Sequence, residues 1–323
     1  MENILVSIHC AAYNHEKYIA DAIEGFLMQK TNFKFEILIH DDASTDKTAN
    51  IIRDYEKQYP DLIIPIYQKE NQYSKGKSIT KFIMEKTKGK YIAQCEGDDY
   101  WTDPYKLQKQ LDYMEKHPEC SLCVHGGHIV NASENKIISK HRISKRNKNF
   151  TVDEVIEGGG ALFLTNSMFY PKKFEEIRPE FFEIAPVGDY PSAINLSLLG
   201  TVYYIDEFMS VYRTGVSNSW TARNASTRKQ TEHYSKIAAM LDEINQYTNG
   251  KYEDAINRRK YQDQLILLLE QRKFKEVKSA ENKEYYQSLG YRQRLLISLN
   301  QYCPTIFQLM RFAKRRWIEW AMR

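Results

Sequence analysis

The chain has 323 residues, 42% hydrophobic and 27% charged, with a net charge of +4 and a mean hydropathy of −0.61. That is enough apolar material for one large α/β domain with an appendage, or for two domains, and it excludes a disordered or fibrous chain. No run approaches the ~18 apolar residues of a membrane span, the N-terminus enters a strand pattern with no room for a signal peptide, and five scattered cysteines make no secreted disulfide framework, so the expectation is a reduced, cytoplasmic protein. Residues 251–323 hold 16 Lys/Arg against 8 Asp/Glu, leaving the first 250 residues net acidic. An acidic body with a basic tail argues against a nucleic-acid binder.

Leu5 to Ala12 reads as a buried strand. Tyr13-Asn14-His15 then turns the chain into a helix with Ile19, Ala22, Ile23, Phe26 and Leu27 on one face. Phe35 to Ile39 is a second strand, ending at His40-Asp41-Asp42-Ala43-Ser44-Thr45-Asp46, where Ser44 or Thr45 is placed to cap a helix that stops by Pro60. Leu62 to Tyr67 contains Pro65 and suits an edge strand. A helix from about Ser78 to Lys86 leads through Gly89 to a strand at Tyr91. Alternating strands and helices predict a mostly parallel sheet covered on both faces, with ligands outside the carboxyl ends of the strands.

The Tyr91 strand runs into Glu96-Gly97-Asp98-Asp99-Tyr100-Trp101. Three carboxylates at a strand end raise one another's pKa, and a divalent cation turns that cost into a ligand set. Beyond it, Asp103-Pro104 opens a helix carrying Leu107, Leu111 and Met114, and Ser121 to Gly126 is a strand. Residues 131–149 have hairpin character, Thr151 to Glu154 form a capping-box pattern, and Ala161 to Tyr170 is expected to be a strand. Tyr190 to Leu199 reads as a helix, Thr201 to Ile205 as a strand, and the chain is mainly helical from Thr231, with a boundary near Asn224. His117, Cys120, Cys123, His125 and His128 carry metal-suited side chains, but strand alternation divides them between two faces and disfavours a zinc site.

With these motifs in order, residues 1 to about 220 resemble the family 2 glycosyltransferases with the GT-A fold, nucleotide-sugar enzymes of bacterial surface-polysaccharide pathways. The segments that carry the resemblance are Val6-Ser7-Ile8 through Tyr13-Asn14, Asp41 to Asp46, Glu96 to Trp101, Gly188-Asp189 and Tyr212-Arg213. It implies an α/β GT-A domain over 1–224, with a nucleotide-sugar half to about 104 and an acceptor half from about 105, followed by a helical extension over 225–323. By the same resemblance Asp42 would bond the uracil or other base with Asp41 beside it, and Ala12 and Asn14 would line the nucleotide pocket. Glu96-Gly97-Asp98 stands where the family has D-x-D, with Glu in place of the first Asp, near the ribose. Asp98, with Asp99 supporting or sharing, would hold Mg²⁺ or Mn²⁺ against the diphosphate.

Asp189 matches the family's base, taking the acceptor hydroxyl's proton in an inverting transfer. Read from its position alone, it is a helix N-cap. Arg213 would contact phosphate, and Tyr100, Trp101, Tyr212 and Trp220 would belong to the acceptor rim or a closing segment. The implied function is transfer of a sugar from a nucleoside-diphosphate sugar, UDP above others, to a hydroxyl of a glycan or lipid-linked acceptor. The competing readings are a nucleotidyltransferase, for which the early chain lacks a basic phosphate loop, and a non-catalytic nucleotide-sugar-binding or scaffold protein. From Tyr285 onward seven basic residues face one acid, Glu319, and Ile306, Met310, Ala313, Trp317 and Trp320 recur at helical steps. That stripe suits an anchor on an anionic membrane surface, or packing against the helices of 231–280 or another subunit.

Overall fold

A computed structural model describes residues 3–216, 226–280 and 282–307. The expected boundary at Asn224, the closing residue Trp220 and the tail stripe from Met310 to Arg323 lie outside the described residues. The chain divides into two compact units. The first contains residues 1–151, 160–178 and 192–216; the second contains 152–159, 179–191 and 217–323. The division does not fall at one point near 224, because two short internal segments group with the C-terminal helices.

The first unit begins β1 (Ile4–Ala12), α1 (Ile19–Leu27), β2 (Lys34–Asp41), α2 (Thr48–Gln58), β3 (Ile63–Tyr67), α3 (Ile79–Met84) and β4 (Tyr91–Gln94). A two-residue strand, β5 (Tyr100–Trp101), and α4 (Lys106–Lys116) follow, then β6 (Cys120–Asn131), β7 (Lys136–His141) and β8 (Lys148–Phe150). After α5 (Val152–Gly158) come β9 (Phe169–Pro171), α6 (Phe181–Ile184), α7 (Asp189–Leu199) and β10 (Thr201–Thr214). The strands join one sheet in the order β3-β2-β1-β4-β9-β6-β10-β5, with β7 on β6 and β8 on β10. Its β3-β2-β1-β4 half is wholly parallel, and Pro65 sits on the edge strand as expected. The other half keeps the parallel β6–β10 pair and adds antiparallel partners.

Pleat alternation explains the core. Val6, Ile8 and Cys10 of β1 sit in register with Ile37 and Ile39 of β2 and with Ala93 of β4, and all are fully buried with Ile19, Ala22, Ile23 and Phe26 of α1. Each such isoleucine contributes about 1.5–3 kcal/mol through burial. The opposite face carries Ser7, His9, Glu36 and His40, also buried. Ser7 Oγ donates to Glu36 Oε1 over 2.6 Å, and His9 Nε2 lies 2.9 Å from Thr87 Oγ1. Gly25 lets α1 rest on β5, for a Cβ there would come within 2.9 Å of the Trp101 amide nitrogen.

Three strand expectations change, the first being that β6 runs past Gly126 to Asn131. Between Ala161 and Tyr170 only β9 is extended; Gly159–Ala161 and Thr165–Ser167 are short 3-10 turns. The Ser167 hydroxyl donates to the Leu164 carbonyl over 2.6 Å, a local bond that curls the chain instead of leaving it in the ladder. The Thr201 strand does not stop at Ile205; it passes irregularities between Ile205 and Ser210 and continues to Thr214, carrying Arg213. Cys120, Cys123 and His125 are buried, and no group of three His, Cys, Asp or Glu able to hold a metal occurs among the described residues.

In the second unit, α8 (Thr227–Tyr247) and α9 (Glu253–Glu270) bury Ile237, Met240, Leu241, Ile244, Ala255 and Ile256. Arg259 pairs with Asp263 and covers Gly159, where a Cβ would lie 2.4 Å from its Nη1. The short α10 (Phe274–Val277), α11 (Lys283–Ser288) and α12 (Tyr291–Tyr302) follow, with a small core of Leu268, Phe274, Val277 and Ile297.

Candidate active site

Three turns leave the carboxyl ends of β1, β2 and β4, and each is tied to another by hydrogen bonds. Asn14 has φ 58° and Ala43 φ 61°, left-handed conformations that need surrounding support in residues with a Cβ. The support is reciprocal: Asn14 N donates to Ser44 Oγ over 2.9 Å, and Thr45 N donates to Asn14 Oδ1 over 2.8 Å. Asp42 N and Gly97 N donate to the carbonyls of Ala12 and Ala11, each over 2.9 Å. Gly97 is required by close approach: a Cβ would stand 3.0 Å from His15 Nδ1 and 3.1 Å from Ala12 Cβ.

The paired acids after β2 are buried and differ in their partners. Asp42 accepts from the amides of Gln72 and Tyr73 over 2.7 and 3.1 Å, pinning the segment that follows β3. Among the described residues, the Asp41 side chain accepts only a long contact from Ser44 N, and its buried Oδ1 has no partner. A buried polar atom left this way calls for a partner.

The acidic turn sorts its three carboxylates by depth. Glu96 is exposed, Asp98 is partly exposed and Asp99 is fully buried. Asp99 accepts from the Arg213 amide over 2.8 Å and from Asn166 Nδ2 over 2.9 Å, so it braces the turn from inside. Burial, then the charges of Asp98 and Glu96, push its carboxyl well above the usual range. Glu96 and Asp98 are the two carboxylates of the turn left accessible, and Asp98 is the one beside His15. His15 Nε2 stands 3.9 Å from Asp98 Oδ2, with side-chain exposures of 15% and 16%. Burial pulls the His15 imidazole below its ordinary value, against the opposing pull of Asp98, Asp46 and Asp41.

Arg213 does not present its guanidinium to the open. It donates to the Asp98 carbonyl over 2.8 Å, pairs with Asp21, and lies between the rings of Tyr18 and Tyr100 at 5.1 and 4.4 Å. Trp101, expected on the acceptor rim, is core: it is 1% exposed, its indole N–H donates to the Asn166 carbonyl over 2.9 Å, and Phe26 meets its ring edge-on at 4.8 Å. Beneath it the fully buried Lys106 holds Nζ 3.9 Å from the ring, and burial pulls its pKa down to about 7. Tyr212 is half-buried in β10. Asp189 opens α7 in the second unit, where its Oδ1 accepts from the Tyr190 amide over 2.8 Å. The first unit therefore brings together Ala12, Asn14, Asp41, Asp42, Glu96, Gly97, Asp98, Asp99, Tyr100 and Arg213. His15, Asp21 and Asn166 join them unforeseen. His15 had one signal in the sequence, its place in the turn after β1; Asn166 had none, lying inside a misread strand.

A family model described as "Glycosyl transferase family 2" matches residues 7–178. An uncharacterised protein of Mycobacterium tuberculosis is 34% identical over 244 residues, 73% of this chain and 68% of that one. An Escherichia coli protein named UDP-Glc:alpha-D-GlcNAc-diphosphoundecaprenol beta-1,3-glucosyltransferase WfaP is 41% identical over 112 residues, 34% of this chain and 41% of its own. Among solved structures, Staphylococcus aureus TarS 1-349 in complex with UDP-GlcNAc superposes with a TM-score of 0.59 at 17% identity, covering 92% of this chain and 79% of that one. The mannosyltransferase PcManGT of Pyrobaculum calidifontis, in complex with GDP-Man and Mn²⁺, gives 0.57 at 12% identity, covering 97% and 84%.

Proposed function

This chain belongs to glycosyl transferase family 2 and is a glycosyltransferase of GT-A fold, and from that premise we propose that it transfers a sugar, with inversion, from a nucleoside-diphosphate sugar to a hydroxyl of a glycan or lipid-linked saccharide. The observation that carries the reading is the sorted acidic turn, where Asp99 is bonded inward and Asp98 is left facing outward beside His15. Its closeness to the turns after β1 and β2 supports a nucleotide lying across the three strand ends. The partnerless Oδ1 of Asp41 is the acceptor for a base N–H. Asn14 and Ala12 shape the floor, and Asp42 holds the segment at Gln72 that borders it.

The donor set fits a hard divalent cation, Mn²⁺ or Mg²⁺: the accessible carboxylate of Asp98 in a crowded acidic turn, whose remaining ligands would be diphosphate oxygens and water. When bound, the cation neutralises charge building on the departing diphosphate. Asp98 holds it, while Asp99, Asn166 and Arg213 keep the turn from yielding. Asp189 takes the proton of the attacking hydroxyl; its carboxylate is fixed at the start of α7, and a helix N-terminus favours the charged form. UDP is the nucleotide we favour, and surface-polysaccharide assembly the setting, because WfaP, similar over a third of this chain, is named for a UDP-glucose donor and a diphosphoundecaprenol-linked acceptor. A membrane-surface site of action is part of the same reading, through the basic chain after residue 285.

The test is a thermal-shift comparison of UDP-, GDP- and dTDP-sugars with and without Mn²⁺, followed by transfer assays on the donor that stabilises most. One donor class should raise the Tm in a metal-dependent way, since a ligand selective for the folded state stabilises it. No stabilisation by any of them would sink the nucleotide-sugar reading.

A further inference from the structure

We propose that His15 is a second protein ligand of the divalent cation at the acidic turn, so that the cation sits between an imidazole from the β1–α1 turn and the carboxylate of Asp98. The inference rests on the metal reading given above and assigns a residue to it. His15 is aimed by the backbone around it. Asn14 before it is held at φ 58°, its own amide donates to Thr48 Oγ1 over 2.7 Å, and its carbonyl accepts the Tyr18 and Ile19 amides that start α1. Gly97 gives the ring its seat, since a Cβ there would stand 3.0 Å from Nδ1. Three separate constraints therefore direct one side chain to the acidic turn.

The distance decides what the pair does. At 3.9 Å, Nε2 and Asp98 Oδ2 are too far apart for a hydrogen bond. Two atoms bound to one octahedral cation at ~2.1 Å are separated by ~3.0 Å when cis and ~4.2 Å when trans, so the observed gap admits an ion after a small movement. The two side chains are about equally exposed, 15% and 16%. Nδ1 is buried with no protein partner, so no outer hydrogen bond locks the ring as in tight metal sites. With no third His, Cys, Asp or Glu in reach among the described residues, the shell is completed by diphosphate and water. Metal affinity should accordingly be weak alone and rise with nucleotide. Imidazole is a ligand of first-row transition ions, of which Mn²⁺ is the weakest binder, and a poor one for Mg²⁺, so His15 biases the choice of ion away from Mg²⁺.

Pulsed electron paramagnetic resonance of Mn²⁺ bound to the intact chain, with and without UDP, reads the bond directly. The expected result is modulation from a directly coordinated nitrogen in the unmodified protein and its loss in His15→Gln, with Mn²⁺ affinity falling roughly tenfold or more. Mg²⁺ affinity, measured by competition, should fall less. Bound Mn²⁺ without nitrogen modulation, or modulation that survives in His15→Gln, overturns the role of His15 and leaves the metal reading standing. No Mn²⁺ binding, or binding unchanged in Asp98→Asn, overturns the metal reading and the inference together.

Discussion

The turns at the ends of β1, β2 and β4 and the last helices of the second unit solve different problems. At the turns, backbone and side chain are cross-linked by hydrogen bonds: Asn14 with Ser44 and Thr45, Asp42 with Gln72 and Tyr73, Asp99 with Arg213 and Asn166. In α12 the apolar side chains Tyr291, Leu295, Leu296 and Tyr302 stand exposed, and Ile297 alone of that helix is buried. Carboxylates crowded at strand ends keep one arrangement only if the backbone beneath them does not move, and a lattice of charge-assisted and backbone bonds provides that. A helix that leaves its apolar residues outside gains nothing from them internally. They are available to something else.

The largest effect is expected where the lattice leaves a carboxylate accessible beside His15. Asp98→Asn should lower transfer roughly 10³-fold or more, as loss of several kcal/mol of charge stabilisation implies, while the Tm without ligand changes little. Transfer that survives this change, or exhaustive chelation, would show the turn to be scaffolding. Asp189→Asn should cut turnover roughly 10²–10⁴-fold with donor affinity nearly unchanged, because a lost base slows chemistry in a donor site that stays built. A variant that transfers normally and only melts earlier would return Asp189 to a helix-start role.

The same lattice explains what was readable in the sequence. Strand periodicity placed β1, β2, β3 and β4, and acids at their ends marked the rim, because both signals are local. The partition inside the rim was not local. That Asp42 is bonded on both oxygens depends on a segment 30 residues later, and that Asp99 faces inward depends on Asn166, 67 residues away. Trp101 looked like a rim aromatic from its neighbours, yet Gly25 and Phe26 of α1 and Asn166 draw it into the core. β10 runs past Ile205, its expected end, because irregular pairing with β6 between Ile205 and Ser210 carries the strand on.

The anchored half should also carry an acid-side signature. Burial, with the charge of Lys172 adding, pulls His9 down to about 3 from an ordinary 6.5. A folded pKa below the unfolded one means the stabilisation is whole above pH 6.5 and is lost as pH falls through 6.5 toward 3, where the unfolded chain takes a proton the native state refuses. At full strength that is up to about 5 kcal/mol. Chemical denaturation across pH 7 to 4 should show a slope in the unmodified protein that His9→Gln flattens. Equal slopes would place the acid sensitivity elsewhere.

The smallest effect belongs to the other side of the comparison and decides what the exposed residues of α12 serve. If they meet an anionic membrane surface, Leu295→Glu with Leu296→Glu should leave the Tm within about 2 °C, since substitutions at exposed positions usually stay within ±0.5 kcal/mol. Recovery with anionic vesicles in flotation should drop several-fold, because two apolar contacts are lost and two charges of the repelled sign are added. A version ending at Cys303 removes Arg311, Lys314, Arg315, Arg316 and Arg323 and separates the two contributions. If charge dominates, truncation costs more than the double substitution and added salt weakens the intact protein most. Should the double substitution instead lower the Tm by many degrees and leave flotation unchanged, the leucines pack within the protein and α12 shares the logic of the turns.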